Sequence, residues 1–171
     1  MKLLPLILLV ALCLLSMMQA AYYHPQLPGL VATHFDAAGR ASGWMPRAHF
    51  FQYQVVFTLG FAAFFGSLAF VTGIFPDAWI NLPHKDYWLA PARREQTRRR
   101  ITRMVLSAGC GALAFFLFLH QRVSQANLDG THRLTPSFGV ILAASLLLIV
   151  GPLVPSLLHF LRKPTPPASS A

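Results

Sequence analysis

Four long stretches of this chain contain no Asp, Glu, Lys or Arg, and that feature limits its folds more than any other. Residues 3–35, 48–76, 104–121 and 134–161 are free of such charge. A bilayer core about 30 Å thick is crossed by roughly 20 helical residues. A charged side chain at its centre costs about 2.5–3.5 kcal/mol on insertion scales. The windows are therefore read as four transmembrane helices, near 3–21, 51–75, 104–121 and 138–161. Only 11% of residues are charged, against about 25% in soluble domains, which excludes an ordinary water-soluble fold. Disorder needs low hydrophobicity, and 55% of this chain is hydrophobic. No repeat at a fixed period suggests a solenoid.

The expected fold class is an all-α membrane protein, a four-helix transmembrane bundle forming one membrane domain over residues 1–163. Residues 164–171 read as a disordered tail. A cleaved signal peptide is the alternative for the first window. Its apolar run is long for that role, and bulky Met18 stands where a cleavage site wants a small residue, so a retained helix is preferred. Leu12 before Cys13 argues against a lipoprotein. Cys13 and Cys110 fall inside spans and read as small apolar filler rather than a disulfide framework.

Orientation follows from basic residues in short loops. Between spans two and three lie Lys85, Arg93, Arg94, Arg98, Arg99, Arg100 and Arg103. The 22–50 loop has only Arg40 and Arg47, and the 121–137 loop only Arg122 and Arg133. Lys2, Arg162 and Lys163 fall on the richer side. The termini and the 76–103 loop are thus expected to be cytoplasmic. Arg93 to Arg103 reads as a helix entering the membrane among anionic lipid head groups, with Glu95 and Arg99 paired at i,i+4. That accounts for the net charge of +9 without a nucleic-acid partner.

In span two, Ala62, Gly66, Ala69 and Gly73 share one face, and Phe57, Phe61, Phe64 and Phe75 gather opposite. Small residues let helices approach closely in lipid. The small face is expected to meet another helix, in the bundle or in a homodimer, and the Phe face to meet lipid. Ser107, Gly111 and Ala114 repeat the device in span three. Gly151-Pro152 and Pro155 predict a kink in span four. No Asp, Glu, Lys or Arg lies within a span, which weighs against ion- or proton-coupled transport. His120 and His159 read as interfacial rings at span ends.

Two loops carry information. Leu30 to Phe35 suits a short strand, and Asp36 to Arg40, with Gly39 free to take positive φ, suits a turn. Asp129-Gly130 between Leu128 and Leu134 reads as a second hairpin. A small extracytoplasmic cap with short β-strands follows, and Trp44 is expected to anchor at the interface. His24, His34, Asp36 and His49 could supply zinc ligands, but no ligand spacing is present, so hydrogen bonding by His34 and turn capping by Asp36 are preferred. No metal and no cofactor are expected. No nucleophile elbow, phosphate loop, HExxH or carboxylate pair points to catalysis. In the inner loop, Lys85, Tyr87 and Trp88 read as an interfacial segment with aromatic anchors, or as a docking site for a cytoplasmic partner.

Leu27-Pro28, Thr33-His34-Phe35, Asp36, Gly39 and Gly43-Trp44 together resemble a bacterial membrane domain, the domain of unknown function 1648. That domain also occurs at the N-terminus of SdpI-type toxin-immunity proteins. The inner-loop run Asn81-Leu82-Pro83-His84-Lys85-Asp86-Tyr87-Trp88, with Arg93-Arg94-Glu95 and Ala126-Asn127, is similar to its stand-alone four-span members. The resemblance implies a bacterial cytoplasmic (inner) membrane protein. SdpI-type proteins imply immunity and signal relay, but they have further spans that a chain of this length lacks.

The function expected is binding or sensing without catalysis. Thr33, His34, Phe35, Asp36, Gly39 and Trp44 are the candidate ligand site, and Asn81, Pro83, Lys85, Tyr87 and Trp88 the inner motif. The alternative is a small transporter, or an accessory subunit that meets another membrane protein.

Overall fold

The computed structural model describes residues 3–134, 139, 143, 146–147, 149–151 and 153–162. In chain order its elements are α1 (Leu4–Tyr23), β1 (Leu30–Phe35), β2 (Ala41–Pro46), α2 (Arg47–Ile74), α3 (Lys85–Trp88), α4 (Arg94–Leu128) and α5 (Val154–Leu161), with one 3₁₀ turn at Asp77–Trp79. Helices α1, α2 and α4 are long and apolar enough to cross a membrane. The expected fourth span, 138–161, lies in part outside the described residues, and the tail 164–171 lies wholly outside them. Its described end shows the anticipated break. Gly151 and Leu153 are turn residues, and α5 restarts with Pro155 in its first turn, where a missing N–H leaves no helical bond unmade.

Helix α4 is the central column. Gln19 on α1 donates to Gln121 (2.8 Å), Gln121 donates to the Tyr23 hydroxyl (2.6 Å), and the Cys110 thiol approaches the Pro5 carbonyl (3.4 Å), so α1 runs parallel to α4. Helix α2 runs antiparallel, with Phe57 beside Phe116 near one end and Thr72 hydroxyl-bonded to Thr102 (3.0 Å) near the other. Leu9, Ala69, Leu106, Cys110 and Leu113 form the core between them.

The helix faces differ from the expected ones. Phe57 and Phe61 turn inward onto Phe116, at ring distances of 4.4 and 5.2 Å, while Phe64 stays exposed. Ala62 and Ala69 do join the core, but beside Gly66 and Gly73 nothing stands within 4 Å of where a Cβ would be. The close approach is made by Gly109 of α4, whose added Cβ would lie 2.7 Å from the Phe65 ring and 3.1 Å from Leu9. One notch on the central helix receives a large side chain from each neighbour, so α2 can present aromatics to α4 instead of small residues.

Polar side chains are buried in the half of the bundle nearer the strands. Gln54, Thr58, His120 and Ser124 are all buried. Where lipid tails are as apolar as leucine, interhelical hydrogen bonds help hold helices together, and the bridge from Gln19 and Tyr23 to Gln121 supplies them here. His120 is therefore an interior residue at 5% exposure, rather than an interfacial ring.

Strands β1 and β2 pair antiparallel, with register irregularities on either side of His34. Leu27, Val31, Phe50 and Val123 seat this hairpin on the bundle. Asp129-Gly130 closes no second hairpin. The buried face of α4 continues through Asn127, which keeps Leu128 helical. Gly130 then reverses the chain with φ +65°, and the following residues lie across the first hairpin. Ala41 N–H donates to His132 O (3.1 Å), and Leu134 N–H to Gly39 O (2.8 Å). Gly39 has φ +73°, and a Cβ there would stand 2.5 Å from the Leu134 carbonyl oxygen, so turn and strap together require glycine. The strands and strap form a cap at one end of the bundle, and residues 77–103 with α5 gather at the other.

Candidate functional site

One side chain of α4 hydrogen-bonds directly to the first strand of the cap. Asn127 on α4 accepts from the Ala32 N–H (2.7 Å) and donates to the Ala32 carbonyl (2.9 Å), while its amide also reaches Val123 O (2.9 Å). An amide side chain thus stands in for a neighbouring strand at fully buried Ala32. The hairpin turn is closed by Asp36. Its Oδ1 accepts from the Ala38 and Arg40 backbone N–H groups (2.9 and 2.8 Å), and Oδ2 meets Arg40 Nε (3.1 Å). The Arg40 backbone N–H, helped by the Arg40 guanidinium, holds the carboxyl below its ordinary value.

Between cap and bundle lies a cavity of about 360 Å³. Thr33, His34, Phe35 and Met45 form its cap wall. Phe50 and Tyr53 come from α2, and Phe116, Leu119, His120 and Val123 from α4. Apolar and aromatic walls with a few convergent polar groups are the usual makeup of a small-molecule site. Here the polar groups are two imidazoles and the hydroxyls of Thr33 and Tyr53. The Thr33 hydroxyl lies 3.2 Å from His34 Nδ1. Tyr53 also borders a groove along the flank of α2, beside Val56 and Gly60. The cavity therefore adjoins a surface that a membrane would bathe.

Thr33, His34 and Phe35 are brought together at this cavity, while Asp36, Gly39 and Trp44 are not. Asp36 and Gly39 belong to the turn, and the Trp44 ring packs on His132 at 4.7 Å. His24 packs against Phe51 (4.7 Å), and His49 borders the α2 groove. Among the described residues no three His, Cys, Asp or Glu side chains gather as a metal-holding group. Sequence reasoning missed Phe50, Tyr53, Phe116, Leu119 and His120. The one available signal was a histidine inside an otherwise apolar helical window.

At the opposite end, Asn81 and Pro83 are exposed. His84 takes φ +53° ahead of α3. Lys85 Nζ donates to Ala78 O (2.9 Å), and the Tyr87 ring lies under the Arg93 guanidinium (3.8 Å). Trp88 stacks on His159 of α5 (4.5 Å) and donates its indole N–H to Phe160 O (3.2 Å). Thr97 Oγ1 donates to the Trp88 carbonyl (2.7 Å). Lys85 thus ties α3 to the 3₁₀ turn, and Tyr87 and Trp88 join α3 to the start of α4 and to α5. Asp77 meets Arg94 (2.9 Å) and Arg98 (2.7 Å), and the hydrogen bond from Arg98 leads the effects that hold its carboxyl below the ordinary value. Arg98 also donates to the Thr72, Gly73 and Phe75 carbonyls, capping the C-terminus of α2, where a cation is favoured.

The hairpin cap, flanked by α1 and the first turns of α2, is the part of the chain with a counterpart elsewhere. Residues 11–58 match the model of the domain of unknown function DUF1648. The DUF1648 match runs from α1 through both strands to Thr58, and so includes the cap wall of the cavity with Phe50 and Tyr53. The α4 wall lies outside it. No curated protein and no solved structure matches the chain. The apolar helices and the DUF1648 match together make this a membrane protein.

Proposed function

We propose that the protein is a non-catalytic binding or sensing protein of a bacterial cytoplasmic membrane, taking a small amphipathic molecule between cap and bundle. One observation carries this reading. The 360 Å³ cavity is walled by the cap on one side and by two helices on the other, so an occupant touches both and favours one seating of the cap. A ligand shifts an equilibrium only through such differential contact. The basic-residue count supports an extracytoplasmic cap, and the α2 groove beside Tyr53 offers entry from the lipid. Leu119→Trp, which fills the cavity, tests the proposal alongside wild type. Mass spectrometry of extracts from the two purified proteins should find a small molecule held by wild type and lost in the variant. Identical extracts, with wild-type envelope-stress phenotypes for both Leu119→Trp and His34→Ala, would remove the basis of the reading.

A second reading, an accessory subunit of a membrane complex, is favoured by the open positions at Gly60, Gly66 and Gly73 on α2. A partner helix could approach closely there. A stoichiometric membrane protein that co-purifies with wild type and is lost on Gly66→Leu would support it.

A further inference from the structure

We infer that the basic end of the bundle contains a built site for a phosphate group, distinct from the cap cavity and independent of it. The site is a cavity of about 650 Å³ between the first turns of α4 and the end of α5. Arg93, Arg99, Arg100 and Arg103 line it, with Trp88 and His159 beside them and one carboxylate, Glu95, which is paired with Arg99.

The charges at this end do not all pair off. The chain has five acids. Asp36 is held by Arg40, Asp77 by Arg94 and Arg98, and Glu95 by Arg99. Asp129 lies at the cap end, and exposed Asp86 makes no ion pair among the described residues. None of the five pairs with Arg100 or Arg103. Neither of them hydrogen-bonds or ion-pairs with any described residue, and the Arg100 Nε is buried without a partner. A buried guanidinium nitrogen left unpaired is costly. An anion from outside the chain would satisfy it.

Guanidinium forks match the oxygens of a phosphate in bidentate fashion, and a cavity of this size accommodates a small polar head. Its depth fits as well. Arg103 is the last charge before the apolar stretch 104–121, and Leu157, Leu158 and Leu161 on α5 are exposed close by. The phosphate can therefore belong to a lipid whose chains lie along α5, or to a soluble phosphate.

Trp88 reports on the cavity once Trp44→Phe and Trp79→Phe silence the other two tryptophans. In neutral detergent its fluorescence is followed while dihexanoyl phosphatidylglycerol, dihexanoyl phosphatidylcholine or inorganic phosphate is added at constant ionic strength. A saturable change is expected, with phosphatidylglycerol well above phosphatidylcholine. A response to phosphatidylglycerol alone assigns the site to lipid, and a response to inorganic phosphate as well assigns it to the phosphate itself. Arg100→Gln with Arg103→Gln should weaken it by about tenfold or more, from the loss of charge-assisted hydrogen bonds. Arg162→Gln, on the same end but outside the cavity, should not weaken it. Equal loss in Arg162→Gln, or an equal response to a hexaglutamate peptide, would overturn the inference. So would an unmodified wild type that treats phosphatidylglycerol and phosphatidylcholine alike, a comparison that needs no folded arginine variant.

Discussion

Asn127 concentrates more of the cap's attachment than any other residue, because both backbone groups of Ala32 depend on it. Replacing it with leucine leaves a buried N–H and a buried C=O without partners, at a cost of about 1–3 kcal/mol for each such group. Asn127→Leu is expected to lower the melting temperature of the detergent-solubilised protein and to speed proteolysis between residues 36 and 46. A variant that melts and resists protease like wild type would show that the cap is held by its apolar contacts alone. Legibility at this scale was uneven. The Asp36 turn could be read because an aspartate capping a tight turn with a nearby glycine is a local device. The partners of Asn127, Trp88 and Arg98 lie 95, 72 and 21 to 26 residues away, and nothing in local spacing reveals them.

Among the elements, α4 sets the geometry through Gly109. A side chain there must displace the Phe65 ring, and overpacking of this kind costs about 1–3 kcal/mol. Gly109→Leu should separate α2 from α4, which an engineered disulfide between Thr72→Cys and Thr102→Cys would register. Those hydroxyls are 3.0 Å apart, so crosslinking should be efficient with Gly109 and much reduced with leucine; unchanged crosslinking would show that the helices do not meet at this notch. Three long helices were legible because a charge-free window is set by bilayer thickness, although α4 runs past its 104–121 window at both ends. Element faces were not. Lipid and protein interior are both apolar, so the alternation that marks a buried face in water is weak here, and Phe57 and Phe61 carried no sign that they turn inward. The Asp129-Gly130 hairpin was misread for a related reason, since the turn signal was real but the preceding Leu128 belonged to a helix.

The whole molecule is a membrane bundle with different chemistry at its two ends. At one end a β-hairpin covers an apolar cavity with two histidines, and at the other arginines exceed the acids available to pair with them. Helix α4 runs from one end to the other, from Arg94 to Leu128, so it is the element through which occupancy at either end could be felt at the other. The central claim is that these ends lie on opposite sides of a bilayer, with the cap outside. Labelling with a membrane-impermeant maleimide tests it most directly, in a Cys13→Ser, Cys110→Ala background bearing either Ser42→Cys in β2 or Asn81→Cys before α3. Intact cells should label Ser42→Cys and leave Asn81→Cys unlabelled until they are permeabilised; the reverse pattern, or labelling of both in intact cells, would contradict the account.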